Sequence, residues 1–235
     1  MKTVAASQSN YIPWKGYFDI INDSDEFIIC DEVQYTRCDW RNRNILYFHG
    51  QKKWITLPCG NNLKRTIDEV RFSESIPWQQ KHWEMIKLAY KKAPFYNIYS
   101  PFFEDVYLGK KWEYLSQLNV YLIKHIANVF LKIPAIITDS RSYQTHGTAS
   151  ERALSLLKSA KADRFVSGPA AKNYIKQNEF EEAGIEIIWK DYSGYPEYKQ
   201  LHTPFIHEVS ILDVLFNTGA DAPYYVWDWR KKNNS

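Results

Sequence analysis

The run VAASQSNYIPWKGYFDIINDSDEFIIC, residues 4–30, decides the fold. Residues 4–6 are small and apolar and read as a short opening strand. Pro13 confines the chain to a turn or a helix start, and Gly16 lets the backbone approach a neighbour closely. Residues 19–22 then complete a short helix that delivers the chain to a second apolar strand at 27–30. Strand, polar turn, helix, strand is the opening of a Rossmann-like sheet, mainly parallel. In such sheets ligands bind at the carboxyl ends of the strands.

Directly after the second strand come residues 31–44, DEVQYTRCDWRNRN. This stretch places Asp31, Gln34, Arg41, Asn42, Arg43 and Asn44 where a strand end meets solvent. Guanidinium forks suit phosphate or carboxylate, and amides suit sugar hydroxyls. The competing reading is an arginine-rich loop that ties elements together through backbone carbonyls. The first polar turn adds Gln8, Asn10, Tyr11, Trp14 and Tyr17 on the same edge.

Further along, residues 53–58 read as a strand and 70–72 as a possible one. From Ser75 the pattern becomes helical. Trp78, His82, Met85, Ile86, Ala89 and Tyr90 recur at helical spacing up to Pro94. A longer helix is expected over about 112–131, with Leu115, Leu118, Leu122, Ile126 and Val129 on one face. The α/β rhythm returns at 136–137. A capped helix follows Thr148, and a strand at 165–167 ends in Gly168-Pro169, opening onto a helix through Lys172 and Tyr174. Gly184 stops a helix before a strand at 185–189. Ser167, Gly168 and Lys172 thus supply a third strand-end site at a helix start. The expected architecture is one α/β domain over 1–235, with about five mainly parallel strands, helices on both faces, and 75–131 as a helical insertion packed on the sheet.

Composition narrows the function. A net charge of +3 is too small for a nucleic-acid partner, which would bring a basic stripe. Three scattered cysteines without C-x-x-C point to a reducing, cytoplasmic setting. No apolar run approaches the length of a membrane span. Gly is scarce at 9 residues, and neither phosphate-loop motif occurs, so no cofactor is expected. The 17 Tyr and 9 Trp suit stacking on a sugar or base; most must build the core, and only Tyr11, Trp14, Tyr17, Tyr35 and Trp40 are assigned a ligand role. The six histidines lack metal spacing, so no metal is expected. His82 and His146 are candidate general bases, with Asp31 as a third catalytic candidate. Asp23-Ser24-Asp25 has the form of a metal-binding D-x-D, but it precedes a strand on the opposite edge and reads as a solvated turn.

The two N-terminal segments together resemble the WbqC-like family. Its pattern Q-P-N-Y-x-P-W-x-G-Y-F is matched here by Gln8, Asn10, Tyr11, Pro13, Trp14, Gly16, Tyr17 and Phe18. The following acidic residue, V-Q-Y and W-x-N-R-N are matched by Asp31, Val33, Gln34, Tyr35, Trp40, Asn42, Arg43 and Asn44. Later matches are Ser167-Gly168-Pro169 with Lys172 and Tyr174, and the closing segment from Ser210-Ile211-Leu212-Asp213 to Gly219. Ser9 replaces the family proline, and Ser7 stands where many members carry His. The resemblance implies a role in bacterial O-antigen-type surface-polysaccharide gene clusters, with an activated sugar as small-molecule substrate. The expected activity is acyl or aminoacyl transfer to a nucleotide-linked amino sugar. A nucleotide-sugar glycosyltransferase and a non-catalytic ligand-binding protein remain the alternatives, and the sequence does not give the oligomeric state.

Overall fold

The computed structural model describes residues 1–73 and 75–232. The chain opens with β1 (Thr3–Ser7), α1 (Lys15–Asn22) and β2 (Glu26–Ile29), followed by the strand pair β3 (Arg43–Phe48) and β4 (Gln51–Thr56). Three helices follow: α2 (Trp78–Tyr90), α3 (Tyr96–Glu104) and α4 (Leu115–His125). The second half runs β5 (Ile136–Asp139), α5 (Ala149–Ser159), β6 (Arg164–Ser167), α6 (Gln177–Glu182), β7 (Glu186–Trp189), α7 (Ile211–Thr218) and α8 (Trp229–Lys232).

Five strands form one sheet in the order β5-β2-β1-β6-β7, and every pairing in it is parallel. The fold is therefore α/β and Rossmann-like. Winding runs outward from β1 through β2 to β5, then crosses to β6 on the other side. The carboxyl ends of β1 and β6 accordingly flank the switch point where such sheets open a crevice.

The period-two alternation of strand side chains explains how both faces are covered. Val4, Ile28, Phe165 and Ile187 point to one face and pack with Leu156 and Leu157 of α5 and Phe180 of α6. Ala5, Phe27, Ile29, Val166 and Ile188 point to the other. There they join Phe18 and Ile21 of α1, Ile211 and Leu215 of α7, and the buried faces of α2, α3 and α4.

Four local features differ from the sequence expectation, the first being that the helix expected through Lys172 and Tyr174 is only a 3-10 turn at Pro169–Asn173. The strand at 53–58 is the second arm of an antiparallel hairpin, whose first arm begins at Arg43 inside the expected ligand loop. His49 (φ 52°) and Gly50 (φ 67°) form its two-residue turn, and left-handed conformations at both positions match the twist of the arms. The expected long helix begins at Leu115 rather than 112, because Tyr114 is extended and bridges Arg71; it continues through a π-helical turn at Ile126–Phe130. That same bridge is all that forms at 70–72. Among the described residues no helix is long and apolar enough to cross a membrane.

Candidate functional site

The chain leaves β1 at Ser7 and makes its turn through Ile12, whose φ of 37° is unfavourable for a β-branched residue. Three donors hold that turn. The Asn44 amide donates to the carbonyls of Tyr11 (3.0 Å) and Ile12 (2.9 Å), and the Ser210 hydroxyl donates to Ile12 (2.9 Å). The Ile211 N–H completes the clamp on the Pro13 carbonyl at 2.8 Å. A strained backbone kept in place this way is a common attribute of ligand sites.

The clamped turn presents its polar side chains to Arg41. The Arg41 guanidinium donates to Gln8 Oε1 (2.7 Å) and more distantly to Asn10 Oδ1 (3.5 Å). Its nearest carboxylate is Asp39, 3.8 Å from Nε, and the side chain is 21 % exposed. Two neutral amide oxygens orient the fork without neutralising it, so Arg41 retains positive charge for an anion.

Beside Asn10 opens a cavity of about 280 Å³, lined also by Pro13, Trp14, Trp40, Asn44 and Glu208. Trp40 is exposed, with its ring centre 5.6 Å from that of the equally exposed Trp54. The Arg43 guanidinium lies 4.0 Å over Trp54, and its Nε has no protein partner among the described residues. The opposite wall, Trp14, is braced edge-on by Tyr192 at 5.1 Å and Tyr195 at 6.1 Å. A Cβ on Gly16 would stand 2.2 Å from the Trp14 ring, so glycine is what allows this wall to fold back over α1. Gly16→Ala is expected to displace Trp14, shifting tryptophan emission and weakening ligand binding about tenfold; unchanged emission and affinity would remove Trp14 from the wall.

Other residues of the two motifs lie inward. Tyr11 is fully buried, with its hydroxyl shared between Tyr107 (2.6 Å) and His82 Nδ1 (2.8 Å). Tyr17 packs edge-on against Phe27 and donates to the Gln8 carbonyl. Tyr35 is buried, and the Asn42 amide donates to the Leu57 carbonyl at 3.3 Å. Asp31 is also buried: Oδ1 accepts the Ser9 N–H (2.8 Å) and Oδ2 the Ser116 hydroxyl. Burial pushes its pKa up, against those hydrogen bonds. Gln34 is exposed beyond the turn and donates to the Leu63 carbonyl. Ser167 and Gly168 close β6 at the switch point, with Tyr192 Oη over Gly168. Lys172 is exposed, its ammonium 5.4 Å from the Trp189 ring, and His146 is exposed in the loop before α5.

His82 is enclosed between Tyr11 and the Thr56 carbonyl, 3.1 Å from Nε2, and burial lowers its pKa to about 4. The unfolded chain, near the ordinary 6.5, binds more protons between those values. The contribution of His82 to stability is thus complete above pH 6.5 and is lost as pH falls through 4, amounting to about 3 kcal/mol. Asp213, which burial raises to about 6, acts in the opposite sense: its contribution is present below the ordinary carboxylate value and is lost as pH rises through 6. Comparing urea unfolding of the wild type and His82→Gln from pH 7 to 4.5 isolates the histidine; identical pH slopes would contradict this account.

Sequence reasoning named neither Glu208 nor the support behind Trp14. Lys15, the first residue of α1, is 1 % exposed; its ammonium lies 3.2 Å from His207 Nδ1 and 4.6 Å from the Tyr195 ring centre. It makes no ion pair among the described residues, and burial lowers its pKa to about 8. Asp19 of α1 takes Lys190, Arg230 and Tyr195. The D-x-D aspartates are engaged structurally: Asp23 pairs with Lys190, and Asp25 accepts the Thr3 N–H. Among the described residues no group of three or more His, Cys, Asp or Glu side chains could hold a metal ion.

A sequence model described as the WbqC-like protein family matches residues 8–225. The uncharacterized protein Rv1507c of Mycobacterium tuberculosis (strain ATCC 25618 / H37Rv) is 40% identical over 228 residues, spanning 96% of this chain and 98% of that one. No solved structure matches the chain.

Proposed function

The chain belongs to the WbqC-like protein family, and on that premise we propose that it is a transferase modifying an activated, nucleotide-linked amino sugar in O-antigen-type surface-polysaccharide synthesis. Acyl or aminoacyl transfer to the sugar amine is the favoured reaction. The observation that carries the reading is Arg41, held by Gln8 and Asn10 at the carboxyl end of β1 beside a tryptophan-walled cavity. A guanidinium oriented by neutral acceptors suits the phosphate of an activated sugar. Trp14 and Trp40 offer apolar faces for the sugar ring, and Asn10 offers a hydrogen-bonding edge for its hydroxyls.

In this reading Asp31 and His82 are positioning residues. Their polar atoms are occupied by Ser9, Ser116, Tyr11 and Thr56, so they fix the turn that carries Gln8 and Asn10. In this reading Ser167 and Gly168, at the end of β6 beside the switch point, offer backbone groups to the substrate.

Incubation with nucleotide-linked amino sugars and a panel of acyl and aminoacyl donors, followed by mass spectrometry, tests the proposal. The expected product is the amino sugar heavier by one acyl or aminoacyl group. Transfer of a whole sugar to an acceptor would overturn this reading in favour of a glycosyltransferase. Saturable binding without turnover across the panel would make the chain a ligand-binding protein.

A further inference from the structure

A second cavity, of about 420 Å³, opens at the carboxyl ends of β2 and β5; Glu32, Ser140, Arg141, Tyr143 and Arg152 are among its lining residues. Its size falls within the range of roughly 300–1,000 Å³ usual for small-molecule sites. None of the candidate residues read from the sequence lines it. Its electrostatics differ from those around Arg41. Arg152 is paired with Glu32, and Arg141 with both Asp139 and Asp68, so three carboxylates face two guanidinium groups. No cation is left over for a diphosphate, and a neutral, hydroxyl-rich ligand fits better.

Glu32 is the group suited to such a ligand. One of its oxygens accepts from Arg152 and the other from the Ser140 hydroxyl. A carboxylate has about four acceptor positions, so each oxygen retains capacity for a further hydroxyl. Tyr143 is fixed by its hydroxyl donating to Glu26, which leaves its ring as a rigid stacking face at the cavity wall. The two cavities are also tied together. Asp31, the neighbour of Glu32, accepts the N–H of Ser9, which lies between Gln8 and Asn10.

We propose that the cavity at the ends of β2 and β5 seats the nucleoside half of the nucleotide-linked sugar, with its ribose diol on Glu32 and its base against Tyr143. The diphosphate then lies over the end of β1 at Arg41, and the sugar extends towards Trp14 and Trp40. In sheets of this strand order the phosphates lie over the first strand's end and an acidic residue after the second strand holds the ribose. Here Arg41 and two amides stand where a glycine-rich loop would cradle the phosphates. The inference rests on the reading that the substrate is nucleotide-linked, and it fixes which half of that substrate lies on which side of β1.

The test measures calorimetric binding of ADP, GDP, CDP and UDP, their 2′,3′-dideoxy counterparts, and inorganic pyrophosphate. At least one ribonucleoside diphosphate should bind, and its dideoxy form at least tenfold more weakly, a comparison that needs no variant. Glu32→Gln should abolish that discrimination while leaving pyrophosphate affinity unchanged, and Tyr143→Leu should weaken the nucleotides but not pyrophosphate. Equal binding of ribo and dideoxy forms to the wild type, or discrimination that survives Glu32→Gln, would overturn the assignment. So would failure of every nucleoside diphosphate to bind. Ribose discrimination dependent on Glu32 in a protein that forms no transfer product would uphold the nucleoside seat and defeat the transferase reading alone.

Discussion

Asp19→Ala is expected to destabilise the fold by about 3–5 kcal/mol, the effect of removing one partner from a buried ion cluster. Asp19 is fully buried on α1; Oδ1 lies 2.7 Å from Lys190 Nζ, and both oxygens receive the Arg230 fork, at 3.0 and 2.9 Å. Tyr195 donates to Oδ2 as well. Lys190 is itself buried, so without the carboxylate its ammonium keeps only the half-exposed Asp23. For a chain of this length the loss corresponds to a fall of roughly 10 °C in melting temperature. Asp19→Asn should recover only part of it, because an amide accepts from Tyr195 but does not offset two cations. Since Tyr195 also braces Trp14, ligand affinity should fall with stability. A decrease in melting temperature below about 3 °C would mean that the cluster contributes little beyond an exposed pair.

Arg41→Ala carries the second large effect, and it should appear in binding rather than folding. Charge-assisted hydrogen bonds contribute roughly 1.5–3 kcal/mol, so affinity for pyrophosphate and for the nucleotide-linked sugar should fall about tenfold to a hundredfold. Arg41→Lys should restore only part, because an ammonium does not reproduce the planar fork that Gln8 and Asn10 orient. Stability should change far less, since the pair with Asp39 is long and partly exposed. Thermal unfolding measured beside calorimetric binding separates the two roles. A variant that melts several degrees lower yet binds pyrophosphate normally would make Arg41 a structural clamp of the turn.

Much of the architecture was legible in the chain. Apolar runs at 4–6, 27–30, 136–137, 165–167 and 185–189 mark the five parallel strands, because a strand covered on both faces must be apolar almost continuously. Two signals went unread. His49-Gly50 between 43–48 and 51–56 marks a hairpin turn, and α3 runs through Pro101 in a stretch where proline argues against a helix.

The order of residues along the chain is enough to specify the sheet, the shared edge of its two polar motifs, and the kinship those motifs carry. Which motif residues meet solvent depends on how distant segments pack. Asn44 and Arg41 are both strong hydrogen-bonding groups in one short run, yet the Asn44 amide is consumed by the carbonyls of a strained turn, while Arg41 stays partly exposed and donates to the neutral side chains of Gln8 and Asn10. Asp31 and Glu32 are adjacent acids, but the first is closed under Ser9 and Ser116 and the second opens onto a cavity. Residue type fixes what bonds a group can form. Whether its partner is the protein's own backbone or a ligand depends on which buried donors and acceptors the fold leaves to be satisfied, and that is settled only when distant segments pack together.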